Sequence, residues 1–187
     1  GITGPMHPRE EKCLRAALRA HKSTELSVNI HFGSRNRGAE VAEVMEIVTE
    51  EKVDPQRVIF SHMDQHVEPE YYMRAADQGY YVEFDCFGHE QYTERSVFSD
   101  ELFRVEPRDT DRINALVRIL DSGYIDQILL SQDVFVKSNL RAYGGWGYDH
   151  ILMNVVPMLR RIGITDEQIH TMMAKNPAKV LSVERQE

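Results

Sequence analysis

Four short apolar runs constrain this chain more than any other feature: LSVNI (residues 26–30), RVIFS (57–61), YYVEF (80–84) and QILLS (127–131). Each has the length of a β-strand, and helix-length segments separate them. The segment 8–22 carries Leu14, Ala17 and Leu18 at helical spacing, and 39–51 carries Val41, Val44, Met45 and Val48. Further helices are predicted over 69–78, 109–122, 149–161 and 166–175, the last opened by a capping box of Thr165 and Gln168. Apolar strands alternating with helices predict an α/β fold, a parallel sheet covered by helices. A doubly wound sheet and a barrel both satisfy that pattern.

The ends of the strands carry the chemistry. His31, His62 and Asp133 each follow a strand, and Asp85 follows another. In a barrel the C-terminal ends of parallel strands converge on one mouth. Two imidazoles and a carboxylate meeting there form a natural Zn²⁺ donor set, and the carboxylate can also accept a proton. A single His after a strand more often caps or hydrogen-bonds, but three such ends in register are harder to read that way. Asp85 is expected to orient a ligand from behind. His7, His21 and His170 are expected at the surface, and His66 and His89 in loops without a chemical role. After Asp133 comes KSNLRAYGGWGYDH (137–150), whose glycines, aromatics and charges suit the wall of a substrate pocket. Lys137 and Arg141 there could bind an anionic group. A doubly wound phosphate-binding protein is a third reading, but the chain has no GxGxxG or GxxxxGK[ST] loop to support it.

Composition narrows the partners. With 22 basic and 30 acidic residues the formal charge is −8, which argues against a nucleic-acid footprint. No apolar run approaches the ~20 residues that span a bilayer, so no membrane partner is expected. No secretory leader is visible, and the two cysteines, Cys13 and Cys86, form no metal or disulfide pattern, so a cytoplasmic protein is expected. Cys13 is expected to pack in the core of its helix. The 187 residues fit one domain, with a small-molecule substrate and a possible homodimer.

Taken in order, IHFG (30–33), VIFSHMD (58–64), LLSQD (129–133), RAYGGWGYDHIL (141–152) and KNPAKVLS (175–182) resemble the phosphotriesterase family of the amidohydrolase superfamily, and in particular its phosphotriesterase-related branch. The resemblance implies a (β/α)8 barrel, of which this chain would be the C-terminal portion, about strands 5–8. It implies two divalent metals, with zinc expected. His31 and His62 would hold the more exposed one. Asp133 would hold the buried one and accept a proton from the metal-activated hydroxide. Asp64 and Asp85 would support the ligands. Lys137, Arg141, Tyr143, Tyr148 and His150 would contact a phosphoester, lactone or acyl-amide substrate. Some relatives carry a basic residue at the Cys86 position. Asn176 and Pro177 would serve packing. The family's HxH pair on strand 1 and its bridging Glu or carboxylated Lys after strand 4 have no counterpart here. The chain opens on GITGP without an initiator Met, so a larger parent enzyme is expected. The alternative is a catalytically inactive half-barrel that binds a partner or self-associates.

Overall fold

A computed structural model describes residues 1–33, 39–65, 67, 69–90, 92–95 and 102–183. The element order is α1 (Pro8–Thr24), β1 (Val28–His31), α2 (Ala39–Glu50), β2 (Val58–Ser61), α3 (Pro69–Asp77), β3 (Tyr81–Phe84), β4 (Tyr92–Arg95), β5 (Leu102–Val105), α4 (Asp109–Asp121), β6 (Ile128–Leu130), α5 (Val156–Arg161), α6 (Asp166–His170) and α7 (Asn176–Leu181). The expected strands form, slightly shorter than their apolar runs. Pro55–Arg57 and Ile125–Gln127 instead make 3₁₀ turns that feed β2 and β6. The hairpin β4–β5 has no counterpart in the apolar pattern. A π-type turn at Ile151–Val155 leads into α5, and another at Thr171–Lys175 joins α6 to α7, carrying the last helical stretch past the predicted end at 175.

The sheet runs β1-β2-β3-β6, with every pairing parallel. Its order follows the chain without reversal, as in a barrel wall. A doubly wound sheet would reverse direction at a switch point. The chain's start adds one more parallel bridge, Ile2 to Phe32, on the free side of β1. Ile2 donates its N–H to the His31 carbonyl and accepts from Gly33, both at 2.8 Å.

Alternation along the strands separates two faces. Val28, Ile30, Phe32, Val58, Phe60, Val82, Phe84 and Ile128 face the helices in one apolar cluster with Leu14, Leu18, Val44, Val48, Tyr72, Leu116 and Ile119. On the other face Ile59, Tyr81 and Leu129 pack with Val180 of α7. Above them the same face turns polar. Asn176 fastens α7 by donating to the carbonyls of Ile125 and Ile128, both at 2.8 Å, which fits the packing role expected of it. Two expectations for α1 fail: Cys13 and Ala17 are exposed, because only Leu14 and Leu18 of that stretch fall on the buried stripe. His7, expected at the surface, caps α1 by accepting from the Arg9 N–H. His66 lies outside the described residues.

Candidate metal centre

The polar end of the second sheet face encloses a cavity of about 350 Å³ lined by Asn29, His31, Ser61, His62, Glu83, Asp85, Ser131 and Asp133. The lining follows from strand geometry. Asn29, Ser61, Glu83 and Ser131 share one face, and His31, Asp85 and Asp133 stand two residues beyond Asn29, Glu83 and Ser131. His62 breaks this period, since alternation would send it toward the helices. Its left-handed backbone, φ 61°, turns it into the cavity instead. Asp133 is also left-handed, φ 36°. Such conformations are uncommon in non-glycine residues, though Asp and His adopt them more readily than most.

The structure thus brings His31, His62 and Asp133 to the wall of one cavity. The His31 and His62 rings meet edge to face with centroids 4.5 Å apart. Asp85 grips His62 twice: it accepts the backbone N–H at 3.0 Å, and its Oδ1 lies 2.9 Å from Nδ1. That contact leaves Nε2 free to bind a cation, the arrangement by which a carboxylate orients a ligating imidazole. Burial works against a charged His62, but the Asp85 hydrogen bond and charge, with Asp133 and Asp64, outweigh it and raise its pKa. His31 is exposed, and its pKa is lowered by partial burial of the ring and by the neighbouring His62.

Among the described residues the tightest group of potential ligand atoms is a different one: His62, Asp85 and Cys86, all within 4.8 Å of one another. The chemistry argues against a metal there. His62 and Asp85 already bond to each other, and the Cys86 thiol donates to Asp85 Oδ1 at 3.4 Å. Burial, reinforced by Asp64 and Asp85, pushes that thiol well above its usual range and keeps it protonated. The cavity wall shared by His31, His62 and Asp133 offers two imidazoles and a carboxylate, a donor set that suits a divalent cation.

Behind the cavity lies a buried ionic network. Asp64 is fully buried and accepts the N–H groups of Asp85 and Cys86 at 3.2 and 3.0 Å. Arg112 of α4, also fully buried, holds Nε 3.1 Å from Asp64 Oδ2 and Nη1 3.5 Å from Asp109 Oδ1. The Nε contact is an ion pair whose N–H is not aimed for a hydrogen bond. Burial and the nearby Asp85 push Asp64 up to about 7, against the pull of Arg112 and the two N–H groups. Burial also raises Asp85, with Glu83 adding to it and His62 opposing.

The loop residues singled out by sequence do not line this cavity. Tyr148 and Tyr143 are exposed, and Lys137 Nζ lies 4.4 Å over the Tyr143 ring. Arg141 pairs with Asp149 at 2.6 Å. His150 is bound to Asp109 at 2.6 Å. Sequence reasoning missed Arg112, Asp109, Glu83 and the bracing role of His89, whose Nε2 lies 3.0 Å from the Asp133 carbonyl. Gly88 permits this packing: at φ 89° it bears no Cβ, which would stand 2.6 Å from the Trp146 ring. One signal was available for the lining, a polar residue two positions before His31, Asp85 and Asp133 in otherwise apolar strands.

Comparison with known proteins gives the chain's family. The model of the Phosphotriesterase family matches residues 1–181. The N-acetyltaurine hydrolase of Dictyostelium discoideum is 33% identical over 184 residues, covering 98% of this chain and 48% of that protein. A resiniferatoxin-binding protein from Rhodobacter sphaeroides superimposes with a TM-score of 0.87 at 35% identity, over 97% of this chain and 49% of that one. The lactonase Lmo2620 from Listeria monocytogenes gives 0.80 at 26% identity, over 99% and 53%. The chain spans about half the length of the curated relatives it matches. Among the described residues no helix is long and apolar enough to cross a membrane. A family match over nearly the whole sequence, joined to a parallel sheet whose strand ends gather two histidines and an aspartate, makes this chain a member of the phosphotriesterase family.

Proposed function

We propose that this chain supplies four consecutive strands, about strands 5–8, of a (β/α)8 hydrolase that cleaves an acyl-amide, lactone or phosphoester bond. The carrying observation is the shared cavity of His31, His62 and Asp133 at one end of a parallel sheet. His31 and His62 would hold a divalent metal, zinc by its donor preference, and Asp133 a second. When bound, such a metal supplies Lewis-acid polarisation of the scissile group and acidifies water.

The remaining chemistry belongs to the chain. Asp133 accepts the proton released by the attacking water at its carboxylate. Asp85 fixes the His62 ring, and Asp64 fixes the backbone that carries Asp85. Lys137, its ammonium above the exposed Tyr143 ring, would offer a cation to an anionic substrate end that reaches beyond the cavity. Arg141 and His150 position that loop through Asp149 and Asp109. The hydrolase named for N-acetyltaurine, an acyl amide with an anionic end, supports placing that class first.

The complete protein, assayed on an N-acyl amide, a lactone and a phosphotriester, should lose turnover on chelation and regain it with zinc. Chelator-resistant turnover would reject the metal reading. The inactive half-barrel reading draws on the outer edge of β6, which pairs with no further strand among the described residues. A metal-free, inert oligomer in native mass spectrometry of this chain and of the complete protein would favour it.

A further inference from the structure

Arg112 is the largest fully buried side chain among the described residues, and it is a cation. Ionic groups buried this deeply are a poor source of stability, since apolar replacements of similar volume often do as well. What the guanidinium does is join three loops. Through its ion pair with Asp64 it backs the turn after β3, because Asp64 accepts the N–H groups of Asp85 and Cys86, and Asp85 in turn grips His62. Its Nη2 donates to the His89 carbonyl at 3.2 Å, and the His89 ring reaches the Asp133 carbonyl at 3.0 Å. Its Nη1 donates to the Pro107 carbonyl at 2.5 Å and faces Asp109, which binds His150 of the 137–150 loop and accepts the Gly88 N–H at 2.8 Å.

The two left-handed residues of the cavity, His62 and Asp133, are therefore the two that this hub braces. His31, across the cavity, receives none of these contacts. We propose that Arg112 is a positioning residue: one buried guanidinium sets the orientation of both His62 and Asp133 and locks the 137–150 loop to them, without touching substrate. The inference rests on the metal-site reading above. It goes further in naming the residue on which cation affinity depends from outside the cavity.

The test uses the complete protein with cobalt(II) as the probe. Arg112→Lys keeps the charge but loses the forked donor set. The double variant Arg112→Met with Asp64→Asn removes the ion pair without orphaning a carboxylate at Asp64, so one of the two should remain folded. In the folded variant, cobalt affinity should fall roughly 10–100-fold, as for loss of a ligand-orienting partner. The visible cobalt spectrum should change, kcat should fall more than KM rises, and the metal-free protein should lose the NMR signature of the His62–Asp85 hydrogen bond. A folded variant with only a lower Tm, and with wild-type cobalt affinity, spectrum and imidazole signals, would overturn the proposal and leave Arg112 a structural residue. Failure of the wild-type protein to take up cobalt would overturn the metal reading and this inference with it.

Discussion

His62 and His31 stand ring against ring, yet the chain holds them in opposite ways. His62 ends an interior strand, is gripped at backbone and ring by Asp85, and is backed by Asp64 and Arg112. His31 ends β1, is exposed, and has the His62 ring beside it, while a Cβ on Gly1 would stand 2.5 Å from its Nδ1. The contrast separates two ways of setting an imidazole. One is orientation fixed by charge and hydrogen bonds inside the protein. The other is a ring placed by its strand and tuned by its neighbour. Loss of a brace should therefore damage the His62 side of the site first.

Four predictions probe that division in the complete protein. Asp133→Asn should abolish hydrolysis, a loss on the order of 10²–10⁴-fold for a group that moves a proton in the transition state, with an unchanged circular dichroism spectrum. Turnover near the parent level would remove Asp133 from the chemistry. Phe60→Ala, on the helix-facing side of β2, should cost about 3–5 kcal/mol in chemical denaturation while leaving the metal content of the folded fraction intact. Asp85→Asn should do the reverse, weakening metal affinity roughly 10–100-fold with little change in Tm. Equal effects of those two variants on both readouts would erase the distinction between the faces.

The smallest effect is in pH. In the metal-free protein, the His31 titration by NMR should fall below the ordinary imidazole value and that of His62 above it. The signs follow from linkage. The raised pKa of His62 contributes stability present below the unfolded value and lost as pH rises through the folded one. The lowered pKa of His31 contributes stability present above the unfolded value and lost as pH falls through the folded one. Protons compete with metal at both rings, so affinity should begin to fall at the higher pH, where His62 takes up its proton. The reverse order of titration would mean that Asp85 does not control His62.

Much of this architecture was legible because it rests on local rules. Strand-length apolar runs and helix-period segments predict their elements to within a few residues, and the strand ends nominate His31, His62, Asp85 and Asp133. Two kinds of feature were not legible. The buried network depends on Arg112 and Asp109 of α4 meeting Asp64 in the turn after β2, and an Arg in an amphipathic helix ordinarily reads as solvated. The left-handed turn at His62 also escapes a pattern argument, since period-2 alternation assigns it to the wrong face. The loop 137–150 shows the converse limit. Its composition marks it as unusual, but composition does not say that Arg141 and His150 are already engaged by Asp149 and Asp109.

The most direct measurement is anomalous diffraction at the zinc edge from crystals of the complete, zinc-loaded protein. The account predicts a peak in the cavity within bonding distance of His62 Nε2 and a His31 ring nitrogen, with Asp133 on the same metal cluster. Zinc seated instead on Cys86 and Asp85, or no peak among these side chains, would contradict it.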